Sequence, residues 1–225
     1  MRTTTRSGWL GARKTALGCA VVALSLASWA SAEAAVLKIA PAGAEIVSED
    51  IVARTKAIKS VRKVERYLLI KASPHQVIGV EGDAPLRVIT PDGGVVEATL
   101  ETGKKFRKED DGKPVAIVGT KVYAEDYGYR GSMGQMARMK HLLEVGQTFK
   151  LTGEAGPRVR VLGTLAARPE AAEKVFLPLS TAQKLFDRAG QVSHLFVAVD
   201  GDAEAAAKAL QAALGSSVEV SVASR

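Results

Sequence analysis

The two ends of this chain carry the same order of elements, and that repetition constrains the fold more than any other feature. Near the N-terminus "AVLKIA" (35–40) suits a short strand, "SEDIVARTKAIKS" (48–60) a helix and "VRKVERYLLIKA" (61–72) a second strand. Ser48 is placed to cap the helix. Glu49 and Asp50 complement its positive end, Lys56 and Lys59 its negative end, and Ile51, Thr55 and Ile58 give an inner stripe. At the other end "VSHLFVAVD" (192–200) is apolar on both alternating faces, as a covered central strand should be. "DAEAAAKALQAALG" (202–215) is an alanine-rich helix capped by Asp202, lined by Ala206, Leu210 and Leu214, and stopped by Gly215. "SVEVSVAS" (217–224) alternates as a last strand.

Two strand-helix-strand units pair naturally into a ferredoxin-like layer of four strands backed by two helices. The expected class is α+β: a ferredoxin-like base from residues 35–73 and 191–224, with residues 74–190 inserted as a β-rich subdomain. The insertion reads mainly as strands, "HQVIGVEG", "PLRVITPDGG", "VVEATLETGK", "PVAIVG", "QTFKLTG", "RVRVLGTLA" and "KVFLPL", with turn signals at Pro91-Asp92-Gly93-Gly94 and Asp111-Gly112. Two short helices are expected there. One is "TKVYAEDYG" (120–128), capped by Thr120. The other is "STAQKLFDRAG" (180–190), with Ser180 and Gln183 as a capping box and Gly190 as its end. Two cores joined by crossing segments near 72–76 and 189–193 would allow hinge motion.

The first 32 residues read as an export signal. Arg2, Arg6, Arg13 and Lys14 precede an uncharged run from Thr15 to Ala32 that ends in the small residues Ala30-Ser31-Ala32. The alternative is a retained N-terminal anchor, since the run is about the minimum for a membrane span. Without residues 1–32 the formal charge falls from +7 by the four basic residues lost to +3. The alkaline balance is therefore largely the signal's and does not argue for nucleic acid. Cys19, Trp9 and Trp29 also lie in that segment, so the remainder has no cysteine and must fold by burial without disulfides.

The order "PVAIVGTKVYAEDYG", "GQTFKLTG", "VRVLGTLA", "KVFLPLSTAQKLF" and "VSHLFVAVDGDAEAAAKALQAALG" resembles the periplasmic core domain of MacB-like ABC transporter permeases, the macrolide-exporter and lipoprotein-release type. The resemblance spans about residues 36–222 and is clearest over 114–214. It implies a membrane-proximal α/β subdomain from both chain ends and an inserted β-rich subdomain. In full permeases one membrane helix precedes this domain and three follow it, whereas this sequence stops at Arg225. The expectation is thus a free-standing relative, or a shortened or split permease.

Catalytic chemistry is not indicated. His75, His141 and His194 are far apart and in no metal-protease frame. His194 reads as a packed or edge residue of a strand, and His75, after Ser73-Pro74, as a solvent or hinge residue. Gly79, Gly82, Gly93 and Gly94 occupy turn positions and do not open a helix as a phosphate loop does. "KKFRKEDDGK" (104–113) suits a solvated hairpin end, or a docking patch of Lys104, Lys105, Arg107 and Lys108.

"SMGQMARMKH" (132–141) spaces Met133, Met136 and Met139 three apart before His141. Thioethers with a histidine suit Cu(I) or Ag(I) in an exported, cysteine-free protein. On a helix, however, Met136, Met139, Leu142 and Leu143 share one stripe, and His141 lies about 140° from Met136. That favours packing or partner contact over metal. The function expected is a non-enzymatic periplasmic domain, without cofactor, that binds a partner or substrate and relays motion. Its partners would be membrane permease or ABC transporter subunits or a periplasmic adaptor, with ATP used only through another subunit. The rival is a soft-metal binder using Met133, Met136, Met139 and His141.

Overall fold

In a computed structural model the described residues are 34–43, 45–72, 75–130, 135–152 and 156–223. Side chains are described for these except between 125 and 140. Residues 33–225 pack as one compact unit. The N-terminal unit is β1 (Ala35–Pro41), α1 (Glu49–Lys56) and β2 (Val61–Lys71). The middle holds β3 (Gln76–Val80), β4 (Arg87–Ile89), β5 (Val95–Glu97), β6 (Leu100–Gly103), β7 (Val115–Val118), β8 (Tyr123–Arg130), β9 (Gln135–Leu142), β10 (Thr148–Lys150), β11 (Arg158–Leu165), β12 (Lys174–Pro178) and α2 (Leu179–Leu185). The C-terminal unit is β13 (His194–Val199), α3 (Ala203–Leu214) and β14 (Val218–Val222).

The two ends form one antiparallel layer in the order β2-β13-β1-β14, with α1 and α3 on one face. The expected caps are in place: Ser48 Oγ accepts from Ile51 N, and Asp202 Oδ1 accepts from Ala205 N at 2.7 Å. Gly215 takes a φ of 83°, a conformation costly for a residue with a Cβ. Leu195, Val197 and Val199 of β13 point into the helix side, and Phe196 into the other.

The insertion does not stand apart from this layer. β2 pairs with β13 from Val61 to Tyr67 and with β3 from Tyr67 to Lys71, so one strand belongs to both regions. From β3 the sheet runs on through β12, β7, β11 and β10, with β6 also on β11, giving ten strands. The segment 72–76, expected as a hinge, thus joins two strands hydrogen-bonded to each other; its residues 73 and 74 lie outside the described set. At the second expected hinge, Val192 bridges Val47, Ser193 N donates to Tyr67 O, and Ser193 Oγ accepts from Leu69 N. The described residues of both connections are held to the base.

The sheet has two cores. On one face α1, α2 and α3 bury Leu37, Ile39, Leu68, Val77, Val197 and Leu210. α2 sits so close to β3 that a Cβ at Gly79 would lie 2.8 Å from Ala182 Cβ. On the other face the chain after β3 folds back as a strap, residues 81–98, carrying the β4–β5 hairpin over Tyr67, Ile78, Phe176 and Phe196. A ferredoxin-like sheet bare on that side would leave Phe196 in water, at a cost of roughly 1.5–3 kcal/mol. Part of the insertion is therefore a lid on the base.

Three local expectations are corrected. Residues 120–128 are not a helix: β8 begins at Tyr123 and pairs with β9 from Tyr123↔Leu142 to Arg130↔Gln135. Tyr123, Tyr127 and Tyr129 are strand-forming types, and the partner strand decides between two readings that propensity leaves close. α2 has Pro178 at its N-cap and no capping box; Ser180 is inside it, with its hydroxyl on Asp111, and Gln183 Nε2 donates to Gln191 O. Gly190 lies in the turns beyond the helix. "VVEATLETGK" is two strands, not one, with β5 on β4 and β6 on β11.

Candidate functional site

The methionine segment is strand. Met136 and Met139 lie opposite Tyr129 and Asp126 in the β8–β9 ribbon, which forms a two-stranded sheet of its own. Met133 lies outside the described residues. The helical stripe of Met136, Met139, Leu142 and Leu143 does not exist. Positions 136 and 139 are an odd interval apart and so fall on opposite faces of a strand. That spacing does not gather thioethers on one side, and the metal reading has no support. At the foot of the ribbon His141 is exposed, Leu142 is 72% exposed and Leu143 is buried.

His75 anchors that foot. It is buried, its ring meeting Tyr123 edge-on at 5.7 Å, which replaces the expectation of a solvent or hinge residue. Backbone bonds from Gly119 N to Lys174 O and from Lys121 N to Ala172 O hold the approach to β8.

Residues 104–113 are not a hairpin end. β6 and β7 flank opposite edges of β11, and this segment crosses between them. Phe106 is buried in the second core and Asp110 is buried beneath a 3-10 turn, where its Oδ2 accepts from Arg107 N at 3.0 Å. Lys104, Lys105, Arg107 and Lys108 are exposed around these two anchors. The exposed Arg107–Glu109 pair at 3.6 Å contributes little. The basic segment enters β7 at Val115 and the ribbon begins at Tyr123, so a four-residue strand and a four-residue connection separate the two candidate contact elements in the chain.

The site features missed in the sequence lie under the strap. Glu65, 8% exposed, is ion-paired with Arg87 of β4 and lies 3.2 Å from Lys63. The Arg87 guanidinium also stands 5.2 Å over the ring of Phe196. The Tyr67 hydroxyl donates to Pro85 O, and burial raises its pKa. Lys38 Nζ donates to Gly93 O at 2.6 Å, tying β1 to the hairpin turn. His194 packs as expected; burial first, then the charge of Lys38, lowers its pKa to about 4. The one available signal was parity: Glu65 alternates with Tyr67 and Leu69, an inward carboxylate that needs a cation.

Beside Arg87 a half-open cleft of about 750 Å³ is lined by Val36, Val95, Glu97, Arg168 and Val222. It lies at the end of the sheet where β1 starts and β14 stops. The foot of the ribbon is at the other end, beside Lys71 and Gln76. β2, eleven residues and about 36 Å long, runs between them.

The sequence profile described as the MacB-like periplasmic core domain matches residues 16–214. The fold is similar to the periplasmic region of MacB from Actinobacillus actinomycetemcomitans, with TM-score 0.56 and 11% identity over 85% of this chain and 90% of that one. It is also similar to the extracellular domain of the noncanonic ABC-type transporter YknZ from Gram-positive bacteria, with TM-score 0.50 and 12% identity over 83% of this chain and 99% of that one. No curated protein matches the sequence. These structural relatives are periplasmic or extracellular regions of transporters. Among the described residues no helix is long and apolar enough to cross a membrane.

Proposed function

We propose, on the premise that this chain belongs to the MacB-like periplasmic core domain family, that it is a non-enzymatic periplasmic module that binds a transport partner and relays motion. The partner is a membrane permease or another ABC transporter subunit, or a periplasmic adaptor, and any ATP is used by another subunit. Residues 1–32 serve as export signal or anchor, and the base of residues 35–73 and 191–224 faces the membrane side. Contacts come from Met136 and Met139 of the ribbon, and from Met133, Lys104, Lys105, Arg107 and Lys108.

The observation that carries this reading is the continuity of the sheet. The ribbon foot and the strand ends near the termini are joined through β2 and its hydrogen-bonded neighbours. A packed sheet resists shear, so a force at either end moves the other as a lever rather than about a hinge.

A photo-crosslinking residue at position 136 or 105 tests the contacts in intact cells. Adducts with a transporter permease or adaptor, reduced several-fold when Lys104, Arg107 and Lys108 are changed to Glu, are expected. Crosslinks distributed alike from both positions and from an exposed control such as Ala213 would remove the assignment.

A further inference from the structure

β14 is the last strand of the sheet and pairs with β1 alone among the described residues. Its register fixes which backbone groups face out. Ser217 O accepts from Ala42 N and Ala223 N donates to Val36 O, so the odd-numbered residues turn toward β1. Val218, Val220 and Val222 present their N–H and C=O groups to the free edge. Such a row is a template for another chain.

Gln211 covers two of these six groups. From the last turn of α3 its amide nitrogen donates to Gly215 O at 2.7 Å and to Val218 O at 2.8 Å, while its Oε1 accepts from Val220 N at 2.9 Å. Val218 O and Val220 N are the acceptor and donor that a neighbouring strand would use. A carboxamide carries both a donor and an acceptor, as the backbone does, so the side chain occupies the two groups that such a strand would bond.

We propose that Gln211 is an edge guard: the outer edge of β14 is a strand-docking surface for a second copy of this chain, and the Gln211 carboxamide keeps it shut. The chemistry of the edge favours that occupant. In an antiparallel pair centred on Val220, two copies exchange both Val220 bonds, and Val222, 43% exposed, comes opposite Val218. Glu219 then faces Ser221 and not another Glu219, so no like charges oppose each other across the pair. Once the carboxamide withdraws, a strand edge with three valines and this register can pair with itself.

The two bonds to Val218 and Val220 also staple α3 to β14, and the test separates the two roles. The protein is purified as the cell produces it, and its mass is followed by light scattering over a wide concentration range. Gln211→Ala is expected to double the mass as concentration rises, while the parent stays a single chain. Adding Val220→Pro deletes an outward N–H that β1 does not use, a change edge strands accommodate, and is expected to return the mass to one chain. Gln211→Met keeps the stem and helix propensity, and serves if the alanine variant does not fold. A Gln211 variant that melts earlier yet stays a single chain at every concentration overturns the guard and leaves the staple. A dimer indifferent to Val220→Pro overturns β14 as the docking edge.

Discussion

The two faces of the sheet are covered by different means. On the helix face the cover is held by apolar packing: Leu210, Leu214, Ile51 and Val52 meet Leu37, Ile39 and Val197, with Thr55 returning its hydroxyl to Ile51 O. On the strap face short segments lie over Tyr67 and Phe196 and are pinned by polar groups, Arg87 on Glu65, Tyr67 on Pro85 and Lys38 on Gly93. A helix satisfies its own backbone and needs only a stripe. A strap with three-residue strands has few internal bonds, so side chains must fix its position.

The largest effect should come from breaking the pinned face. Arg87→Ala leaves the buried Glu65 carboxylate with only the half-exposed Lys63, and is expected to cost about 3–5 kcal/mol in urea unfolding. Replacing both partners, Glu65→Leu with Arg87→Met, should recover most of that loss, because apolar groups of similar volume avoid the desolvation of both charges. If the double variant is as unstable as the single one, the pair is not the fastening. On the helix face Leu210→Ala is expected to cost about 3 kcal/mol by opening a cavity, and to add to Arg87→Ala without coupling, since the sheet lies between them.

Why the sequence discloses one face better than the other follows from the same contrast. The helix stripes at Ile51 and Thr55 and at Ala206, Leu210 and Leu214 repeat with the helical period, and caps at Ser48, Asp202 and Gly215 mark their ends. The two end helices and the four-stranded base built from both chain ends were therefore legible. The strap is positioned by pairs such as Arg87 with Glu65, 22 residues apart, and no local period encodes such a distance. For the same reason β8 was mistaken for a helix, since its strand identity resides in β9. Of the candidate contacts, Lys104, Lys105, Arg107 and Lys108 could be placed by charge, but the buried Phe106 and Asp110 that hold them could not.

The faces should also differ in acid. His194 has a folded pKa of about 4 against an ordinary value of 6.5. Its depressed pKa means that the unfolded chain binds a proton the folded one excludes. Stability is thus unaffected above 6.5 and falls as pH drops from there toward 4, by no more than about 3 kcal/mol at 1.36 kcal/mol per unit. His194→Gln should flatten that part of the pH profile while changing stability little at pH 7. An unchanged slope between pH 6.5 and 4 would assign the acid loss to other groups.

The smallest effect is the most local. Lys38→Met keeps the stem of the side chain over the sheet but deletes the bond to Gly93 O, an exposed charge-assisted contact, at about 1 kcal/mol or less. Global unfolding should barely register it. The turn Thr90–Gly94, closed by Thr90 N to Gly94 O and Gly93 N to Thr90 O, should exchange its amide hydrogens several-fold faster, while those of α3 do not change. The same substitution removes the cation that helps to lower the His194 pKa, which should move up from about 4 yet stay below 6.5, because burial is the larger cause. Both responses from one lysine would show that the strap is fastened point by point. Faster exchange across α3 as well would mean that the two covers loosen together and the sheet does not insulate them.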